Sequence, residues 1–177
     1  MLYQNMYRVN SLRLQDWDYS NVGWYYVTIC TKEKKCYFGD VMNGKVVLNE
    51  LGEIVYQEWM KIKEIRSGVD LDEFVIMPNH VHGIIVITND HINNVETHGH
   101  ASLQLKNIVK QNLSNIIRGL KGSVTTKIRS SCDNKFAWQP RFYEHIIRNK
   151  KSLFQIRKYI KLNPLKWEID KENPINN

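Results

Sequence analysis

The sequence predicts an α+β fold, a single domain over residues 1–177 in which an antiparallel sheet is backed by helices. Three observations carry this reading. Runs rich in β-branched and aromatic residues recur along the chain. Two of them are separated only by a Pro-Asn turn. Two long amphipathic segments stand between the runs.

Residues 1–22 are polar with scattered aromatics and read as an extended lead-in. Residues 24–31 (WYYVTICT) form a strand-like run that KEKK ends. CYFGDV and KVVLNE then flank Asn43-Gly44, a dipeptide suited to a two-residue hairpin turn. In residues 51–65, Ile54, Val55, Trp59, Ile62 and Ile65 recur at helical spacing and predict an amphipathic helix. Residues 69–77 (VDLDEFVIM) read as a strand, Pro78-Asn79 as a tight turn and residues 80–87 as the returning strand. Residues 89–102 are polar and predict a loop. A long helix is expected over 103–129, with Ile108, Val109, Leu113, Ile116, Ile117 and Leu120 inward, and with Gly119 and Gly122 weakening its far end. A loop over 130–138 and a short strand over 142–147 follow. The last helix is expected over 150–162, with Asn149 as its cap and Pro164 as its stop. Setting aside the small hairpin and the last helix, the order is β-α-β-β-α-β, the ferredoxin-like arrangement. Two helices would cover one face of the sheet, leaving the other for a site and an added C-terminal helix.

The chain carries a formal charge of +7, which suits a nucleic-acid partner because Lys and Arg neutralise phosphates and release counterions. Cys30, Cys36 and Cys132 form no C-x-x-C pair, arguing against a zinc knuckle or a dithiol redox motif. No signal-peptide core or membrane-length apolar run is present, so a cytoplasmic protein with reduced thiols and no membrane partner is expected.

Within MPNHVHGIIVI, His80 and His82 alternate with Val81 and so share one face of a strand, where two nitrogens can reach one ion. A third donor is needed. Asp72 on the neighbouring strand can approach, and the last helix offers Asn163. Tyr159 and Asn163 lie roughly 40° apart on one helical face, one turn from each other. An Asn carbonyl can ligate a hard cation. His98 and His100 form another H-x-H, but in the polar loop. The C-terminal third concentrates Arg141, Arg148, Arg157, Lys158 and Lys161 around Trp138, Phe142, Tyr143 and Trp167, a composition that suits single-stranded nucleic acid.

MPNHVHGIIVI resembles the histidine–hydrophobic–histidine (HUH) segment of small single-tyrosine transposases. WQPRFYEHIIRNKKSLFQIRKYIKLNP resembles the segment that carries the nucleophilic tyrosine in the REP-associated tyrosine transposases, named for repetitive extragenic palindromes. Weaker similarity at SLRLQDWDYS, YYVTICTKEKKCYFGD and LDEFVIMPNH extends the resemblance over most of residues 11–167. It implies a ferredoxin-like fold, His80, His82 and Asn163 as metal ligands, and Tyr159 as the nucleophile. Imidazole ligands favour Mn²⁺ by softness, and the resemblance adds Mg²⁺. It further implies nicking and rejoining of single-stranded or hairpin-flanked DNA through a 5′-phosphotyrosine, by a homodimer or a monomer. The resembling segment includes His145, for which a DNA contact is expected alongside Arg141, Arg148, Arg157, Lys158 and Lys161. A non-catalytic nucleic-acid binding module is the competing reading. A histidine-triad hydrolase would need a third alternating histidine where Ile84 stands.

Overall fold

The computed structural model describes residues 2–3, 6–7, 14, 17–88, 111–131 and 135–176. In chain order its main elements are β1 (Gly23–Cys30), a hairpin of β2 (Gly39–Met42) and β3 (Lys45–Leu48), α1 (Glu50–Ile65), β4 (Val69–Met77), β5 (His80–Ile87), α2 (Leu113–Ser131), β6 (Tyr143–Ile147) and α3 (Lys150–Leu162). β4, β5, β1 and β6 pair in that spatial order as one antiparallel sheet. This is the ferredoxin-like order, with the first and third long strands central and the second and fourth at the edges.

Strand alternation divides the sheet into two faces. Tyr25, Val27 and Ile29 of β1 and Val81, Ile85 and Ile87 of β5 point to one side. There they pack against Val55, Trp59 and Ile62 of α1 and against Ile116, Ile117 and Val124 of α2. The other face presents Tyr26 of β1, Ile84 of β5 and Ile147 of β6. Ile160 of α3 is buried against them, with Leu153 and Ile156 beside it. Polar residues of β1 and β5 on this second face are therefore presented to α3.

Local sequence explains the boundaries. Asn49 caps α1 by accepting a hydrogen bond from Gly52 N at 3.0 Å, and Asn149 caps α3 by accepting one from Ser152 N at 2.8 Å. In the β2–β3 turn, Asn43 has φ 52° and Gly44 φ 70°, the paired positive angles of a type I′ hairpin. Met77 pairs with His80, so Pro78 and Asn79 alone make the β4–β5 turn.

Three expectations need correction. The helix predicted from residue 103 starts at Leu113, because Asn112 opens it: its Oδ1 accepts from Ser114 N at 2.9 Å and its carbonyl from Ile116 N at 3.0 Å. Residues 103–110, the predicted 89–102 loop and Cys132 lie outside the described residues. The same helix passes through both glycines to Ser131, since Leu120, Val124 and Ile128 continue its buried stripe, and the following loop begins later than predicted. Ile65, expected inward, is exposed as the last residue of α1, beyond Ile62, the last buried position of the helix. Among the described residues, no helix is long and apolar enough to cross a membrane.

Candidate metal and tyrosine site

β1 places Thr28 opposite His82 and Cys30 opposite His80, on the sheet face that α3 covers. Both histidines are buried. The Asn79 amide nitrogen donates to the carbonyls of Lys34 at 2.8 Å and Glu172 at 2.6 Å, which turns its oxygen toward His80 Nδ1, also at 2.8 Å. His80 Nδ1–H is thus the donor to Asn79 Oδ1, and its Nε2 lone pair faces His82 Nε2 at 3.0 Å. His82 Nδ1 meets two hydroxyls, Tyr26 at 2.8 Å and Thr28 at 2.9 Å.

Hydroxyls can give or accept, so two proton arrangements satisfy this network. In one, Tyr26 donates to His82 Nδ1, and His82 Nε2–H donates to His80 Nε2. In the other, His82 Nδ1–H donates to Thr28, and both Nε2 lone pairs converge. The second suits a cation. Two nitrogens at about 2.0–2.1 Å from one ion, with angles between 90° and tetrahedral, lie roughly 2.9–3.4 Å apart. Burial pushes His80 down to about 4. Burial, followed by the neighbouring His80 charge, holds His82 well below the usual imidazole range. Both rings are therefore neutral near pH 7, the state a ligand needs.

Oxygen donors complete the cluster. Asp170 lies on the segment after the 3₁₀ turn Pro164–Ile169, and its carboxylate groups with His80 and His82, their ligand atoms all within 4.8 Å of one another. Asn163, the C-terminal cap of α3, is buried and donates from Nδ2 to Asp170 Oδ2 at 3.2 Å. Asn163 Oδ1 is buried with no hydrogen-bond partner among the described residues. An orphaned buried carbonyl beside two imidazoles and a carboxylate is what a divalent cation would satisfy, so these residues fit one.

Tyr159 stands one helical turn before Asn163, 41% exposed, with its hydroxyl 3.4 Å from His82 Nε2. Tyr26 packs edge-on against its ring, with centroids 6.3 Å apart at 88°. Burial, followed by the Asp170 charge, raises the Tyr159 pKa, and a hydrogen bond with Asn163 opposes this in part. A cleft of about 880 Å³ opens in front of His82 and Tyr159, with Arg141, Tyr143 and Lys171 on its walls.

The structure thus brings together His80, His82, Tyr159 and Asn163. The basic residues are dispersed. Arg141 lines the cleft, and His145 is exposed on β6 opposite Tyr26. Arg148 lies over the Trp17 ring at 5.9 Å. Lys158 is exposed on α3. Arg157 is bonded to Asp72 and lies over Trp24 at 5.5 Å, and Lys161 pairs with Glu73 at 2.7 Å. Asp72 therefore neutralises Arg157 and is not the third donor. Sequence reasoning missed Asp170, which stands between Glu168 and Glu172 in the mixed-charge segment after Pro164 and carries no local signal that sets it apart from them. It also missed Asn79, read only as a turn residue, and the Tyr26 and Thr28 hydroxyls behind His82.

The fold is shared with a solved REP-associated tyrosine transposase bound to a REP hairpin. The TM-score is 0.57 at 21% identity, over 89% of this chain and 74% of that one. A putative transposase from Deinococcus radiodurans aligns with a TM-score of 0.42 at 16% identity, over 88% of this chain and 96% of that one. The first of these shares its fold with this chain, whose His80, His82 and Asp170 cluster is compatible with a HUH motif. No family model matches the chain. An uncharacterized protein of Haemophilus influenzae is 42% identical over 166 residues, 90% of each chain, and this chain belongs to the same family as that protein.

Proposed function

We propose that the protein is a metal-dependent single-stranded DNA endonuclease and strand transferase that acts through a 5′-phosphotyrosine, on sites flanked by DNA hairpins. The observation that carries this reading is the Tyr159 hydroxyl 3.4 Å from His82 Nε2, at the mouth of the histidine–carboxylate cluster. A divalent cation, Mg²⁺ or Mn²⁺, held by His80, His82 and the oxygens of Asp170 or Asn163, would supply charge neutralisation at a phosphodiester. Asn79 holds His80, and Thr28 with Tyr26 orients His82. Tyr159 supplies the attacking oxygen. Its bond to phosphorus forms as the phosphorus–O3′ bond breaks, the phenol loses its proton, and the departing 3′-hydroxyl gains one. The exchange of one phosphoester for another is reversible, so a second 3′-hydroxyl can take Tyr159's place and rejoin the strand. Arg141, His145, Arg148 and Lys158 would contact the DNA backbone. Arg157 and Lys161 would add long-range charge, reduced by their acidic partners.

A second reading is a hairpin-binding module without catalysis. It is favoured by the burial-raised pKa of Tyr159, which disfavours the phenolate. Incubation with labelled hairpin oligonucleotides and Mn²⁺ or Mg²⁺, wild type beside Tyr159→Phe, separates the two on a denaturing gel. A covalent adduct that requires both the metal and Tyr159 is the expected result. Bound but unmodified DNA under every ion would sink the catalytic reading and favour the second.

A further inference from the structure

Tyr159 has two sides. The large cleft lies on one. On the other, a shallow depression of about 320 Å³ is formed between the site face of β6 and α3. Tyr143 and His145 come from alternate positions of β6. Ser152, Gln155, Ile156 and Tyr159 come from one face of α3, at i, i+3, i+4 and i+7. Tyr26, Tyr143 and Tyr159 border both hollows, so Tyr159 stands as the partition between them.

We propose that this depression receives one unpaired nucleobase next to the phosphate that Tyr159 attacks, with Tyr143 as the stacking surface and Gln155 and His145 contacting the base edge. The inference rests on the reading of Tyr159 as the nucleophile, because a phosphodiester at that hydroxyl carries a nucleotide on each side. Size supports one base: the volume is at the bottom of the range of small-molecule sites, room for a single ring system and no run of nucleotides.

The chemistry of the lining agrees. Tyr143 is half exposed, and its ring is steadied by Tyr26, with centroids 6.2 Å apart at 69°. An open aromatic face on a rigid support is how single-strand binders hold bases. Ile156 adds an apolar wall. The polar groups at the rim, Ser152, Gln155 and His145, offer both donors and acceptors, and no lining residue is acidic. A glutamine amide matches the donor–acceptor pair of adenine N6 and N7, so adenine is the base expected. Gln155 lies one turn before Tyr159 on the same helix. A base held there sets the register of the strand against the nucleophile.

The test uses hairpin-flanked oligonucleotides carrying the fluorescent base 2-aminopurine at one position at a time, with wild type, Tyr143→Leu, Tyr143→Phe and Gln155→Ala. The same samples with Mn²⁺ are read for adduct on a denaturing gel, and thermal melts check folding. Stacking should quench one position in wild type and in Tyr143→Phe, and Tyr143→Leu should lose that quenching. Losing one base–aromatic stack should weaken binding by about 5- to 150-fold. Gln155→Ala should flatten the preference for adenine at that position, so that adenine and the other bases there bind alike. DNA binding with no position that responds to Tyr143 or Gln155 would overturn the base pocket even if the adduct forms. Quenching that depends on Tyr143 without any adduct would retain the pocket and remove the cleavage reading. Absence of any binding would sink both.

Discussion

Arg157 of α3 grips Asp72 of β4 through two nitrogens. Nε lies 3.0 Å from Oδ1 and 3.2 Å from Oδ2, and Nη2 makes a further short contact to Oδ2. The pair matters because α3 has few apolar anchors. Among its residues only Ile160 is buried, beside half-buried Leu153 and Ile156. Burial is the largest influence and works to raise the Asp72 pKa, but the hydrogen bonds from Arg157 and from the Glu73 backbone, with the Arg157 and Lys161 charges, together lower it. Arg157→Met should therefore cost at most ~1 kcal/mol in global unfolding, as expected for a partly exposed pair. It should speed amide hydrogen exchange across residues 150–162 much more than in β1 or β5. Equal protection in wild type and variant would show that the apolar contacts alone dock the tyrosine helix.

Glu58 is the one buried carboxylate on α1, and it ties α1 to α2. It receives hydrogen bonds from Lys61 Nζ at 2.9 Å, Lys127 Nζ at 2.6 Å and Ser123 Oγ at 2.5 Å. Burial works to raise its pKa, and the bonds from Lys127, Ser123 and Lys61 overcome this and hold it at about 2. The folded state thus binds this proton more weakly than the unfolded chain does. The stabilisation is present above the ordinary value of 4.5 and is lost as pH falls from there toward 2. Glu58→Gln should cost about 1–3 kcal/mol in urea unfolding at pH 7. The difference from wild type should shrink between pH 5 and pH 3. A constant difference across that range would contradict the ionised bridge.

The β4–β5 hairpin is legible in sequence because Pro78-Asn79 and the flanking β-branched runs are local signals, and Met77 pairs with His80 as they require. The shared face of His80 and His82 follows from strand alternation alone. The Tyr159–Asn163 pair is equally legible, being one turn of one helix. What sequence hides is long-range. Asp72, which pairs with Arg157, lies at a register irregularity between Leu71 and Phe74, and no periodicity in β4 announces it. Asp170 enters the histidine cluster only because the 3₁₀ turn after Pro164 folds the chain back over His80, with Trp167 6.1 Å from that ring. Asn112 starts α2 in the middle of a pattern whose apolar spacing reads as already helical.

Gly83, between His82 and Ile84, fixes the distance between the histidine strand β5 and α1. A Cβ built there would stand 2.3 Å from Trp59 Cζ2 and 2.5 Å from Cη2. Trp59 is fully buried and stacks on Phe74 with centroids 5.7 Å apart, so it has no free direction in which to yield. Gly83→Ala should destabilise the fold by about 1–3 kcal/mol through overpacking. Paired with Trp59→Phe, which frees that space, the alanine should be tolerated better than its single effect predicts. Strict additivity of the two changes in thermal melts would refute the clash.

Asn163 and Asp170 compete for the role of oxygen donor opposite His80 and His82. The carboxylate carries the charge, but its two oxygens already accept from Asn163 Nδ2 at 3.2 Å and Glu172 N at 2.7 Å. The Asn163 oxygen is the one without a partner. Those two hydrogen bonds do not remove Asp170 from the competition, since hydrogen bonds to a ligating carboxylate position it and leave lone pairs over. Calorimetric titration with Mn²⁺ alone should then show His82→Ala, Asp170→Ala and Asn163→Ala each weakened by more than about tenfold, the loss seen when even a ligand's hydrogen-bond partner is removed. Asn163→Asp should instead retain or tighten Mn²⁺ binding, because it keeps an oxygen at the same place and adds charge. Binding that survives Asn163→Ala and falls with Asp170→Ala would assign the third donor to the C-terminal segment alone. The reverse would leave Asp170 as the group that orients the Asn163 amide.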